Sequence, residues 1–376
     1  MVWGDATIAE VCKVMNLSIP TITKLIGELL EDGYILELGK QETSGGRKPS
    51  IYGLNPTSAY FVGVDILKDH LKFVILDFKG NTIQLVDNYP YTLENTTEAI
   101  DCLCKGINSF INESSIPNEK ILSIGVNISG RVNPFEGYSY SVFNFTEKPI
   151  AKILEEKLHK KVFLDNDSRA MAYSEYIQGV VKDEKNILFI NVCWGLGISI
   201  LIDGKVYYGK SGLSGEFGHF NFFDNEILCH CGKKGCLETE ASGSALCRML
   251  IERYQQGSST ILADKIEAGD EISLNDLIDA IRKGDVLTID ILENIGTNIG
   301  KGIAGLINIF NPDLVILGGP LSQIGNYLIL SVKSAVQKYS LNLVSRDTKM
   351  EVSKLQEKAG VLGAALLSRS KTLGIL

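Results

Sequence analysis

The sequence has no run of roughly 20 uninterrupted apolar residues, the length that a membrane-spanning helix requires, although 45% of its 376 residues are hydrophobic. A soluble protein is expected. The start, MVWGDATIAEVCK, has no basic stretch followed by an apolar run and a small-residue cleavage site. That argues against export and for a reducing, cytoplasmic setting. Cysteine is sparse, with eight in the chain, too few for a disulfide scaffold at this length. Three of them, Cys229, Cys231 and Cys236, crowd together and read as metal-binding, while the other five read as ordinary buried thiols. Positive charge is also short: 37 Lys and Arg face 45 Asp and Glu, a formal net charge of -8. Bulk nucleic-acid binding needs a positive footprint, so composition alone favours a small-molecule partner. The length fits about two or three domains of roughly 100 to 200 residues each.

In TIAEVCKV, residues 7–14, Ile8, Val11 and Cys12 share one helical face, and Asn16-Leu17-Ser18 interrupts before a second amphipathic run. Ser18 is a good N-cap and Pro20 suits a first turn. Ile22, Leu25, Ile26, Leu29 and Leu30 then give the stripe of a packed helix that stops near Asp32-Gly33. The apolar YILEL, the polar tip QETSGGRKPS and the returning IYGLNP read as a hairpin. Helix, short turn, helix and hairpin is the plan of a winged helix-turn-helix, whose second helix enters the major groove of DNA. On that plan Pro20, Thr21, Thr23 and Lys24 face bases and phosphates, and Arg47 and Lys48 on the wing reach the backbone or minor groove. The alternative is a helical pair with a hairpin that serves as a dimerisation arm. Residues 1–55 hold five Lys/Arg against seven Asp/Glu, a weak footprint. Glu28, Glu31, Asp32 and Glu37 lie at or beyond the C-terminal half of the second helix, however, and a dimer would double the patch formed by Lys24, Arg47 and Lys48. Few residues precede Thr7, so the usual first helix of such a module is expected to be cut short.

From Tyr60 the texture changes. The strands FVGVDI and HLKFVILDF, a helix around 96–113, the strand ILSIGVNI and later strand–helix alternation predict an α/β fold. The most specific signal is GEFGH, residues 215–219, followed by CHCGKKGCLE, residues 229–238. A histidine with three cysteines at C-x-C-x4-C spacing suits a closed tetrahedral metal site, with either His219 or His230 as the fourth ligand.

The order of VGVDILKDHLKFVILDFKGN, IGVNISGRV, VFLDNDSRAMAYSEY, INVCWGLGISILIDGKVYYG and INIFNPDLVILGGPLS resembles the sugar-kinase branch of the actin-like ATPase superfold. Within that branch it resembles the ROK family of repressors and sugar kinases, over essentially the whole chain. The resemblance implies a winged helix-turn-helix over 1–57 and a two-lobed sugar-kinase-like domain. Its first lobe would cover 58–175, joined by 360–376, and its second 176–359. The family pattern takes the histidine of the Gly-His pair, which implies His219, Cys229, Cys231 and Cys236 around a structural Zn2+ that pins the loops of Glu216 and Glu238. Sugar hydroxyls need several fixed partners converging from different loops. The resemblance implies these at Asn166 and Asp167 in DNDSRA, Glu216 and His219 in GEFGH, and Glu238 in GCLE, with Ser129 in the loop 127–131 ranked below them.

In the family's kinases the aspartate at the Asp167 position takes the proton from the attacking hydroxyl. Two phosphate turns depart from that pattern. Asp-x-Gly-x-Thr becomes Asp65-Ile66-Leu67-Lys68-Asp69, which removes the glycine and adds a negative charge. Gly-Thr-Gly becomes Cys193-Trp194-Gly195, with the indole expected to fill the phosphate space. Gly318 and Gly319 read as inherited scaffold. Asp167 is then a vestigial base, ATP is not expected to bind usefully, and the chain is expected not to be an enzyme. The resemblance implies a sugar-responsive regulator of the repressor branch that acts on carbohydrate-utilisation genes. Its partners would be operator DNA and a sugar or sugar phosphate, in a homodimer or homotetramer. The alternative is an active ATP-dependent hexose or amino-sugar kinase.

Overall fold

The computed structural model describes residues 4–41 and 48–376. Arg47, expected on the hairpin tip, lies outside the described residues. The chain divides into two compact units: residues 1–126, 143–163 and 364–376 form one, and 127–142 with 164–363 form the other. These divisions fall at other points than 57, 175 and 359. The N-terminal module shares a unit with the first α/β segment, and the segment around Asp167 goes with the second unit.

The first unit opens with helices Ile8–Met15 and Ile19–Glu31 and a three-stranded sheet in which Ser50–Leu54 lies between Ala6–Thr7 and Ile35–Lys40. Local chemistry sets the helix boundaries. Thr7 and Glu10 form a reciprocal capping box, Asn16 ends the first helix in the left-handed conformation, and the Ser18 hydroxyl accepts from the Thr21 amide. Ile22, Ile26 and Ile35 form the small core, against which Ile8, Val11, Cys12, Leu30, Tyr52 and Leu54 pack. Leu25 and Leu29, expected in that packed stripe, are instead 43% and 41% exposed. A module this small buries a narrower face than the hydrophobic pattern offers.

The same unit holds a five-stranded sheet, in order Lys161–Asn166, Ile121–Ile128, Tyr60–Ile66, His70–Asp77 and Thr82–Pro90. The last residues of the first two strands belong to the second unit. The expected helix around 96–113 is Thr97–Glu113, capped by Thr96. Asp65-Ile66-Leu67-Lys68-Asp69 is a tight hairpin turn in which the Leu67 amide donates to the His70 carbonyl. The end of the C-terminal helix Ala359–Thr372 is held through Ser123, whose hydroxyl lies 2.6 Å from that of Ser368 and 2.7 Å from that of Thr372.

The second unit is built on a mixed sheet. Ile187–Val192 runs antiparallel to Leu196–Ile202 and parallel to Leu314–Gly318, which in turn pairs in parallel with Lys349–Val352. The sheet residues Leu188, Ile190, Val315 and Leu317 share an apolar core with helices Gly243–Gln255, Leu274–Arg282, Val286–Phe310 and Asn326–Tyr339. Helix Asp167–Gln178 is held by its buried polar groups as well. Glu175, fully buried, accepts from the Ser353 hydroxyl at 2.6 Å and the Leu355 amide at 2.7 Å, and Ser174 donates to the Ala359 carbonyl. No helix among the described residues is long and apolar enough to cross a membrane.

A Cβ added at Gly363 would stand 1.9 Å from the Ala170 carbonyl oxygen on helix Asp167–Gln178, whereas one added at Gly305 meets nothing within 4 Å. Backbone cannot retreat as a side-chain tip can. Gly363→Ala is therefore expected to cost about 2 kcal/mol or more, while Gly305→Ala, on an exposed helical position, should gain about 0.5 to 1 kcal/mol. Denaturant unfolding of the two variants checks both signs.

Candidate functional site

A cavity of about 320 Å3 opens in the second unit. All five residues expected to contact sugar, Asn166, Asp167, Glu216, His219 and Glu238, line it, as do Ser129, Arg131 and Trp194. The structure thus brings together side chains spread over more than seventy positions in sequence, from the DNDSRA stretch to the GCLE stretch.

Asn166 and Asp167 sit where strand Lys161–Asn166 turns into helix Asp167–Gln178. Asn166 is the N-cap, its Oδ1 accepting from the amides of Ser168 at 3.0 Å and Arg169 at 3.2 Å. Asp167 Oδ1 accepts from the Ser168 amide at 2.7 Å and Asn166 Nδ2 at 2.8 Å, and its Oδ2 accepts from the Ser129 hydroxyl at 2.7 Å. Enclosure in protein pushes the Asp167 carboxyl above the usual range, against the pull of these donors and of Arg169. Behind it, Arg169 Nε donates to Asp165 at 2.6 Å, and its other nitrogens donate to the carbonyls of Gly212 and Val132 at 2.9 and 3.1 Å. The guanidinium also lies 5.3 Å from the Tyr208 ring, whose hydroxyl donates to Asp165.

The turn Cys193-Trp194-Gly195 joins strands Ile187–Val192 and Leu196–Ile202. Trp194 is 46% exposed and bounds the cavity. Burial, with the Asp167 charge nearby, pushes the Cys193 thiol up to about 12, which keeps it an inert SH. Glu238 lines the cavity but is largely engaged: one oxygen accepts from the Leu196 amide at 2.9 Å and the other lies 3.0 Å from His230 Nδ1. Glu216 is 42% exposed and faces Arg131 Nε at 3.4 Å. Sequence reasoning missed Asn191, Ser141, Ser168 and Ser214 in the lining. Nothing in their local pattern separates them from ordinary strand, turn and helix residues.

Next to the cavity lie His219, Cys229, Cys231 and Cys236, whose ligand atoms are all within 4.8 Å of one another. The knuckle that carries the cysteines turns at Gly232 and Gly235, both with positive φ, and a side chain at Gly235 would meet the Phe223 carbonyl at 2.2 Å. Cys231 and Cys236 sulfurs are 3.6 Å apart, and Cys229 Sγ lies 3.5 Å from His219 Nδ1. An ion bound tetrahedrally at about 2.3 Å from sulfur sets its ligands roughly 3.5 to 3.8 Å apart. The residues therefore fit, and the cluster could hold a metal ion. His219, His230 and Glu238 form a second close group. His219 belongs to both sides: Nδ1 faces the thiols, and Nε2 lies 3.8 Å from Glu216 at the cavity wall.

Because folding raises the Asp167 pKa, the folded chain holds that proton more tightly than the unfolded chain. Its contribution to stability therefore falls as pH rises from 3.8 through the folded value. Asparagine carries no such penalty and can keep the contacts to Ser129 and Ser168. Asp167→Asn is expected to be more stable than the parent chain at pH 7, with the difference shrinking as pH falls towards 3.8. Denaturant unfolding across that range measures it, and a difference that does not vary with pH would contradict the assignment.

Residues 61–371 match the model of the ROK family. The chain is similar to the xylose repressor of Bacillus subtilis, 27% identical over 94% of this chain and 88% of that protein. Among solved structures it is similar to a ROK family transcriptional regulator, a homologue of the E. coli MLC protein. The TM-score is 0.82 at 27% identity, over 98% of this chain and 92% of that one. It also shares the fold of a ROK glucokinase from Streptomyces griseus, with a TM-score of 0.72 at 24% identity, over 83% of this chain and 100% of that one. With its mixed α/β sheet and a family match over most of its length, the chain belongs to the ROK family.

Proposed function

We propose that this chain is a sugar-responsive transcriptional repressor and not an enzyme. It would bind operator DNA through a winged helix-turn-helix at residues 1–57 and a sugar in the cavity of the second unit. The observation that carries this reading is the reach of the likeness. The ROK family match begins at residue 61, yet the similarity to the xylose repressor spans 357 residues and so runs into the N-terminal module. That module is a capped helix pair with a hairpin, the plan on which a second helix enters the major groove. Pro20, Thr21, Thr23 and Lys24 are exposed on helix Ile19–Glu31, and Lys48 is exposed beside the hairpin. Lys24 keeps a loose i,i+4 contact of 3.8 Å with Glu28, which is worth little in water and is readily exchanged for a phosphate. With a net charge of -8, the chain depends on these few cations, and a homodimer or homotetramer that presents two modules would supply the footprint one lacks.

In the cavity, Asn166, Asp167, Glu216, His219 and Glu238 would hold sugar hydroxyls, with Ser129 fixing the Asp167 carboxylate. Three thiolates and an imidazole favour Zn2+, held structurally with no open position. Its role is to fix the knuckle, and with it His219 and the Glu238 segment.

Sugar should release the chain from operator DNA in a gel-shift or fluorescence-anisotropy titration, and no such release with any sugar would sink the reading. Sugar-dependent turnover of Mg-ATP would instead return the kinase alternative. Lys24→Ala and Lys48→Ala should each weaken DNA binding and lower the salt slope by about one, with sugar binding unchanged. Metal analysis should find one zinc per chain, and Cys231→Ser should lose it and lower sugar affinity in a folded protein. Unaltered sugar affinity in zinc-free, folded chain would remove the link between knuckle and cavity.

A further inference from the structure

On the repressor reading, the cavity must still distinguish a free sugar from its phosphate ester, and its charge decides between them. Three carboxylates line it: Asp167, Glu216 and Glu238. Among the described residues the cations in the lining are Arg131 and Arg169. Arg169 is 5% exposed and fully engaged, with Nε on Asp165 and its remaining nitrogens on the carbonyls of Gly212 and Val132. Arg131 stands against Glu216 at 3.4 Å. The usual phosphate seat in such a fold is a helix N-terminus with open amides. Here helix Asp167–Gln178 points its start at the cavity, but the Ser168 and Arg169 amides are already taken by Asn166 and by the carboxylate of Asp167.

The hydrogen-bonding inventory points the same way. The open acceptors are the Asp167 and Glu216 carboxylates, and among the described residues the one lining guanidinium with nitrogens left over, that of Arg131, already faces Glu216 through its Nε. Hydroxyl and ammonium groups donate to acceptors, while a phosphate dianion offers acceptors alone. Trp194 adds an exposed apolar face of the kind on which the C–H side of a sugar ring packs. We infer that this cavity selects an unphosphorylated sugar, a neutral pentose or hexose or an amino sugar, and rejects the corresponding phosphate ester. The inference rests on the sugar-binding reading of the cavity.

Isothermal titration calorimetry on the full-length, zinc-loaded chain tests it. The probes are D-xylose, D-glucose, N-acetylglucosamine and glucosamine, each set against its terminal phosphate ester, with inorganic phosphate as competitor. At least one free sugar should bind, its ester should bind at least about tenfold more weakly, and inorganic phosphate should not compete. Glu216→Gln, which removes one carboxylate and frees Arg131, should narrow that ratio. Because the ratio is taken within one protein, a loss of folded fraction does not mimic the effect. An ester that binds as tightly as its parent sugar, or more tightly, overturns the inference while leaving the cavity a sugar site. Binding of neither member of any pair overturns the sugar-site reading and the inference with it.

Discussion

The Asp165–Arg169 pair holds the candidate site together. At 2.6 Å, with both side chains almost fully buried, it fixes the last turn of strand Lys161–Asn166 to the first turn of helix Asp167–Gln178. The same guanidinium binds the carbonyls of Val132 and Gly212 and stacks near Tyr208. Segments far apart in sequence, around 132, 165, 169 and 212, are thus joined at one point, and each contributes lining to the cavity or stands directly behind it. A buried ion pair is weak evidence for stability by itself, because desolvation offsets much of the attraction. With every donor nitrogen paired, this one instead contributes position. It sets the positions of Asn166 and Asp167 at the cavity wall.

Asp167 is the counterpart of that arrangement. Its oxygens are met by neutral donors, Ser129, Asn166 and the Ser168 amide, and the nearest full positive charge is committed to Asp165. Burial consequently wins over hydrogen bonding, and the carboxyl is held above its ordinary pKa. A carboxylate left short of positive charge works against folding and in favour of a ligand that brings hydroxyl donors, a usual balance at functional sites. The raised Asp167 pKa comes from burial first, which the neutral donors and the charge of Arg169 offset only in part.

How far this was legible in the sequence depends on the range of the interaction. The cluster of His219, Cys229, Cys231 and Cys236, which could hold a metal, was legible because C-x-C-x4-C and a preceding Gly-His pair are local patterns, and the knuckle closes through turns at Gly232 and Gly235 within the same stretch. Helix starts at Thr7, Ser18 and Thr96 were legible through capping chemistry for the same reason. The stripe through Leu25 and Leu29 misled, since periodicity reports that a face is apolar but not whether anything covers it. The direction of Trp194 was not legible, because it is set by a turn whose carbonyls are tied to Gly243 and Ser244 about fifty residues later. The buttress made by Arg169 was not visible, because its partners at Val132 and Gly212 are backbone carbonyls and carry no sequence signature.

The sugar response, on the proposed function, has to reach from the second unit to DNA-facing residues in the first. The chain passes between the units at 126/127, 142/143, 163/164 and 363/364. Ser129, Ser141 and Asn166 line the cavity, and each lies within three residues of one of the first three passages. A ligand can shift an equilibrium between two arrangements only through contacts that differ between them. Ser129, Ser141 and the Asn166–Asp167 corner lie beside those passages, so ligand contacts there are the best placed to respond to a change in their backbone angles. Ligand contacts at Glu238 or His219, far in sequence from those passages and beside the cysteine knuckle, are expected to add affinity with less leverage. The residues that recognise the sugar and those that transmit its presence are thus expected to be largely separate sets within one cavity. Substitutions at Ser129 or Ser141 should uncouple sugar binding from DNA release more than they weaken sugar binding.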